Sequence, residues 1–181
     1  MSELEDSFAR ATTDRLLLRR PTGSDLDAVF AVHSDPATNR YNPACPDADL
    51  AASSLRLDEW LVHWAEHGFG YWTVLTLAEQ EIVGFAGLRH GTWLDLPILN
   101  LYYRFSPAAW GHRYATEAAR HALALAGRHF PALPVLARTK GENRPSQRTA
   151  LAAGLTRRPD FDRDDGTGPA VIFVTHWPAQ R

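Results

Sequence analysis

A run of small residues constrains this chain more than any other feature. Ala115, Ala118, Ala119, Ala122, Leu123 and Ala126 recur at the i, i+3, i+4, i+7 spacing of a buried helical stripe. A stripe made mostly of alanine lets a helix lie close to its neighbour, so the pattern predicts a helix packed on a sheet. Gly127 and Pro131 mark its expected end. The segment before it reads as a strand, Ile98 to Phe105, stopped by Pro107. Leu99, Leu101, Tyr103 and Phe105 fall on one face, and Ile98, Asn100, Tyr102 and Arg104 on the other. A loop containing Gly111 joins strand to helix. The N–H groups in the first turn of a helix lack internal partners and carry partial positive charge, which makes a cradle for phosphate. Many glycines merely turn a chain into a helix, so this feature alone leaves both readings open.

The rest of the chain supplies the other layers. Arg15 to Arg20 reads as a short strand ended by Pro21. Thr22-Gly23-Ser24-Asp25 then caps a helix carrying Leu26, Val29, Phe30 and Val32. Asp35 to Asp49 is rich in Pro, Asn and Asp and reads as a loop. A second helix, Asp49 to His67, carries Leu57, Trp60, Leu61 and Trp64 and stops at Gly68. Tyr71–Leu77 and Ile82–Leu88 form an expected hairpin. Pro134–Arg138 is a strand, Asn143–Ala153 a helix closed by Gly154, and Val171–Thr175 a last strand. This order predicts an α/β (α+β) fold around one mixed sheet. Residues 1–13 read as a loose leader, and residues 14–178 as a single domain.

Composition narrows the function. The chain has 181 residues, enough for one core, and its net charge of −2 comes without any run of like charges. That argues against a nucleic-acid partner, which would call for a basic stripe. A single cysteine, Cys45, allows no internal disulfide and points to a reducing, cytoplasmic setting. No stretch approaches the roughly 18 apolar residues that would span a bilayer, so no membrane partner is expected.

Trp110-Gly111-His112-Arg113-Tyr114-Ala115-Thr116-Glu117-Ala118 resembles the acetyl-CoA signature of the GCN5-related N-acetyltransferase (GNAT) superfamily. It most resembles the subgroup of ribosomal-protein N-terminal acetyltransferases (RimJ/RimL-like) and their small-molecule relatives. Arg15-Leu-Leu-Leu-Arg19 with Ser24-Asp25 looks like that subgroup's first strand and helix, and Ile82-Val83-Gly84 like its third strand. Asn143-Arg-Pro-Ser146, followed by Ala153-Gly154-Leu155, is similar to its Asn-x-x-Ser helix and closing pair.

The resemblance implies a GNAT fold with a mostly antiparallel sheet, acetyl-CoA as co-substrate and no metal. It implies transfer of an acyl group to a primary amine, on a protein N-terminus or a small molecule. A homodimer is compatible with it. Tyr103, Arg104 and Phe105 would flank the pantetheine arm. The amides of Trp110, Gly111, His112, Arg113, Tyr114, Ala115 and Thr116 would take the pyrophosphate. Asn143 and Ser146 would reach the pantetheine and the sulfur, with Ser146 assisting the departing thiolate. Asn100 and Tyr102 would stand on the acceptor side.

Three departures accompany the match. Arg113 stands where the family pattern has glycine, and Asn100 where many relatives carry a base-forming glutamate. A tyrosine acid used by some relatives corresponds to Ala150. These departures feed an alternative, a non-catalytic acyl-CoA-binding or interaction module. His63-Trp-Ala-Glu66-His67 matches a zinc-peptidase pattern, but no acidic third-ligand segment follows. Cys45 lacks any neighbour that would lower its pKa and reads as a loop residue. His90 is a candidate base, weighed against a plain surface histidine. Tyr41, Trp60, Trp64, Trp72 and Trp93 are either an acceptor pocket or core.

Overall fold

In a computed structural model that describes residues 3–42, 46–164 and 168–178, one sheet organises the chain. Among these residues the strands are β1 (Arg10–Thr12), β2 (Leu16–Arg19), β3 (Tyr71–Thr76), β4 (Ile82–Trp93), β5 (Leu96–Phe105), β6 (Val135–Lys140), β7 (Thr156–Arg157), β8 (Arg163–Asp164) and β9 (Pro169–Val174). The helices are α1 (Glu3–Ala9), α2 (Leu26–Ser34), α3 (Leu50–His67), α4 (Tyr114–His129) and α5 (Arg144–Ala153). The strands lie in the order β1-β2-β3-β4-β5-β6-β9-β7, with β8 also on β9. Only β5 and β6 pair in parallel. A mixed, mostly antiparallel sheet flanked by helices is what the sequence predicts.

Directly opposed residues in a ladder share a face, so the register sorts the core. Trp72, Ala86, Leu88, Leu99, Leu101 and Phe105 pack with Ala118, Ala119 and Ala122 of α4. Those three alanines are fully buried, as the small-residue stripe demands. On the other face Tyr71, Phe85 and Tyr102 meet Val29 and Val32 of α2 and Leu57 and Trp60 of α3. The helix starts are specified locally. Asp49 accepts from the Ala52 N–H at 2.9 Å to open α3, and Gly68 closes it at φ 73°. Asp25 binds Arg19 through two contacts, the Thr22 N–H and the Thr73 hydroxyl, tying the entry of α2 to β2 and β3. Burial works against its charge, but these partners outweigh burial and hold the carboxyl below its ordinary range.

Three expectations need correction. The described part of the segment expected to be a loose leader, residues 3–13, is part of the fold. Phe8 is fully buried and stacks on Trp72 at 5.5 Å, its carbonyl accepts the Trp72 indole N–H at 2.7 Å, and β1 pairs with β2. Gly127 does not end α4, which runs two residues further to His129. The strand expected to end at Leu88 runs on to Trp93, and the next begins at Leu96 rather than Ile98, the two pairing continuously to Trp93↔Leu96 around Leu94 and Asp95. Both turn residues take positive φ, 50° and 61°, a tight-turn geometry that glycine or asparagine ordinarily signals. Cys45 lies outside the described residues. Among the described residues no helix is long and apolar enough to cross a membrane.

Candidate functional site

The sheet opens between its two parallel strands. β5 and β6 pair only at Leu99↔Val135 and Asn100↔Leu136, and beyond these positions they part. The Leu99 N–H donates to Pro134 O at 2.9 Å. The two-residue period of a strand turns the N–H groups of Tyr103 and Phe105 to the same edge, now facing the gap. A cavity of about 610 Å³ fills the opening. Its walls include Tyr102, Tyr103, Arg104 and Phe105 of β5, with Trp110 and Ala115 beyond the strand's end. Asn143 and Ser146 close it from α5, and Ala37, Thr38, Arg40, Tyr41 and Asn42 from the loop after α2.

The loop after β5 leads into α4, at whose start the sequence suggests a phosphate cradle. The Trp110 indole donates to Phe105 O at 2.9 Å, fixing the turn. Gly111 takes φ 83°, and Arg113 is the N-cap of α4 at φ 61°, ψ 19°. The amides of Tyr114, Ala115 and Thr116 form the first turn and have no intrahelical acceptor. Gly111, His112, Arg113, Tyr114 and Thr116 do not line the cavity itself; they lie along its continuation toward the helix end. His112 and Tyr114 stack at 5.2 Å, and Glu117 turns away to bind Arg15 and Thr13. Arg113 therefore stands at the cap of α4 and not inside the helix. It is a left-handed residue, and that conformation is why glycine suits the position. Arg113→Gly should relieve roughly 1 kcal/mol of backbone strain. A thermal melt should show a rise of about 2–4 °C for a chain of this size; a lower melting temperature would refute the strain.

On the α4–α5 side, the Tyr103 hydroxyl donates to Ser146 O at 2.9 Å and lies 3.1 Å from Ser146 Oγ. Burial pushes the phenol up to about 12, so it stays protonated. Asn143 accepts the Ser146 N–H at 3.1 Å and caps α5, so its carbonyl oxygen is spent on the helix. Only its amide hydrogens remain for a ligand.

The opposite side carries residues that no local pattern announced. The His33 ring is fully buried. Its Nδ1 meets Val29 O at 2.8 Å, so that nitrogen holds the proton and Nε2 accepts from the Tyr102 hydroxyl at 2.7 Å. Burial, then the Arg104 and Arg56 charges, lower its pKa to about 3 and keep it neutral. Tyr102 lines the cavity, and with its proton engaged its oxygen can act only as an acceptor. Asn100, expected beside Tyr102 at the reaction centre, instead donates to the Tyr71 hydroxyl at 2.8 Å in a smaller adjoining cavity of about 270 Å³. It has no proton-accepting role there. Arg104, expected to flank a cofactor, turns its backbone groups to β4 and sends its side chain to Asn39 on the α2 side. Trp60, Trp64 and Trp72 are core, while Trp93 lines the smaller cavity.

The histidine candidates resolve differently. His63 Nδ1 donates to Phe69 O, and Nε2 accepts the His90 N–H at 3.2 Å. Both ring nitrogens are committed, which removes His63 as a metal ligand. His90 is opposite Leu99 in the register, on the face away from Asn100, and its ring packs on His67 and Phe69. It does not reach the gap as a base.

This chain matches the model of the acetyltransferase (GNAT) domain over residues 15–156. An acetyltransferase from Agrobacterium tumefaciens superposes at TM-score 0.78 with 23% identity, covering 93% of this chain and 94% of that one. The ribosomal-protein-S5-alanine acetyltransferase from Vibrio fischeri gives 0.66 and 14%, covering 91% and 94%. Spermidine N-acetyltransferase from Vibrio cholerae, solved with CoA and spermine, gives 0.70 and 13%, covering 90% and 95%. At these identities the likeness is one of fold.

Proposed function

The chain belongs to the acetyltransferase (GNAT) domain family, and from that premise we propose that it is an N-acetyltransferase of the RimJ/RimL-like kind, passing the acetyl group of acetyl-CoA to a primary amine. The family supports acyl transfer from acetyl-CoA. The observation that carries the reading for this chain is the parting of β5 and β6 directly beside the open end of α4.

The residues present suit acetyl-CoA. The exposed edge of β5, with the Tyr103 and Phe105 N–H groups, offers strand-like donors to a pantetheine amide. The first-turn amides of α4 and the left-handed backbone at Gly111 and Arg113 suit a pyrophosphate. Arg113, exposed and without a carboxylate partner among the described residues, adds a cation there. When bound, acetyl-CoA supplies the thioester.

The chain's own groups then have defined tasks. A β5 N–H at the gap stabilises negative charge developing on the carbonyl oxygen. Tyr102 Oη, its proton held by His33, accepts a hydrogen bond from the incoming amine. Ser146 Oγ, within reach of Tyr103, turns its one hydrogen to the sulfur as it leaves.

Ser146→Ala should lower kcat about 10- to 100-fold with little change in acetyl-CoA affinity, because one hydrogen bond to a charged group contributes about 1.5–3 kcal/mol. Steady-state kinetics alongside calorimetric acetyl-CoA titration checks this. Weakened binding at unchanged kcat would move Ser146 from chemistry to recognition. Tight acetyl-CoA binding with no turnover on any amine would favour the non-catalytic module.

A further inference from the structure

We propose that Arg104 anchors a carboxylate on the acceptor, so that the amine this protein acetylates is an amino acid or a similarly acidic small amine. The inference rests on the acetyltransferase reading and names the substrate class of that same site.

Arg104 is a half-buried cation in the cavity wall, and among the described residues its partner is the neutral amide of Asn39. Asn39 Oδ1 accepts from Arg104 Nη1 at 2.9 Å. That amide cannot turn over, because its Nδ2 donates to His33 O at 2.6 Å and Asp35 O at 2.9 Å. Asn39 is itself buried. A fixed acceptor therefore holds the guanidinium in one place while leaving its charge uncompensated.

A charge removed from water ordinarily keeps a partner of opposite sign. Here the described residues lining the cavity include no Asp or Glu. Asp47 is already engaged by Arg56 and Ser53. The unbalanced cation makes itself felt within the protein, as the second cause of the depressed His33 pKa after burial.

Position decides which ligand the charge serves. The phosphate cradle belongs to α4, on the sheet face that α4 covers, whereas Arg104 shares the opposite face with Tyr102, two residues away along β5. Two residues of strand span roughly 6.6 Å. Tyr102 takes the amine and Arg104 the carboxylate of one small molecule. A polyamine, cationic at both ends, meets repulsion instead.

The test compares acids with their amides as acceptors: glycine with glycinamide, β-alanine with β-alaninamide, and γ-aminobutyrate with its amide, with spermidine as the polycation. Wild type should favour the best acid over its amide by roughly 10- to 100-fold in kcat/KM, the range of a charge-assisted hydrogen bond. Arg104→Gln should collapse that ratio toward one, mainly through KM. Arg104→Lys, which keeps the charge, should retain part of it. Equal use of acids and amides by wild type, preferred use of spermidine, or an equal loss on acid and amide in Arg104→Gln would overturn the anchor. Calorimetric binding of the same compounds separates the two readings. Acid-selective binding that Arg104→Gln abolishes, without turnover, sinks the transferase and keeps the anchor. Turnover without acid preference does the reverse, and neither binding nor turnover sinks both.

Discussion

Between pH 6.5 and pH 4.5 the unfolding free energy should fall by several kcal/mol. Two buried histidines carry most of the effect, with His90 and His121, also lowered by burial, adding to it. His33 is fully buried and His63 is 6% exposed. Both are neutral in the fold, with pKa values lowered from 6.5 to about 3 and about 4, in each case chiefly by burial. Each already spends one nitrogen as a donor to a carbonyl and the other as an acceptor. Protonation would force a donor against a donor.

The sign follows from linkage. Above pH 6.5 both states are neutral and nothing changes. Below it the unfolded chain takes up protons that the fold refuses, so stability drops by about 1.36 kcal/mol per pH unit for each histidine. Together, over the roughly 1.5 units from pH 6 to pH 4.5, that is about 4 kcal/mol, a large share of a typical 5–15 kcal/mol. Asp25, Asp47 and Glu117, whose pKa values are lowered, lose their contributions only in more acid solution. Denaturant unfolding at pH 7, 6, 5 and 4.5 reads the slope, and His33→Gln should remove about half of it. A flat profile down to pH 5 would show that these rings are not held neutral.

The same residues show what the sequence made legible. The α4 stripe and the β5 alternation could be read because each is a local period, and the fold honours both. The α4 cradle was readable in the same way, from a strand, a glycine loop and a helix start. Arg113 was visible as a departure, but its left-handed backbone was not, since no side-chain pattern encodes it. His33 and Asn39 gave no signal at all. Their roles arise from partners 69 and 65 residues away, Tyr102 and Arg104. Phe8 misled for a similar reason. Among the charges of the first ten residues it looks like a stray aromatic, and only Trp72, 64 residues on, gives it a core. The α2 side of the cavity is built by such long-range pairs, whereas the turn into α4 is built by one contiguous segment.

Gly84→Ala should cost about 3 kcal/mol or more, and the damage should be felt at the site. Gly84 lies opposite Phe105 in the β4–β5 ladder. A methyl group there would stand 2.5 Å from Arg104 O and 2.7 Å from Phe105 Cα, against backbone that cannot swing aside. Either β4 or β5 must move. The β5 segment pushed is the one whose free edge faces the gap, so its N–H groups would shift relative to Ser146 and the α4 amides. Overpacking of this kind typically costs 1–3 kcal/mol and sometimes more. At about 2–4 °C per kcal/mol the melting temperature should fall by roughly 6–12 °C. Acetyl-CoA affinity should fall in the protein that remains folded. Gly127→Ala provides the contrast, because its added methyl meets nothing within 4 Å and the residue lies inside α4. There alanine should stabilise by about 1 kcal/mol, since glycine is a poor helix former. The same chemical change should thus move stability in opposite directions at the two sites. A Gly84→Ala protein that melts like wild type and binds acetyl-CoA as tightly would show that β5 is not held against β4 at the gap.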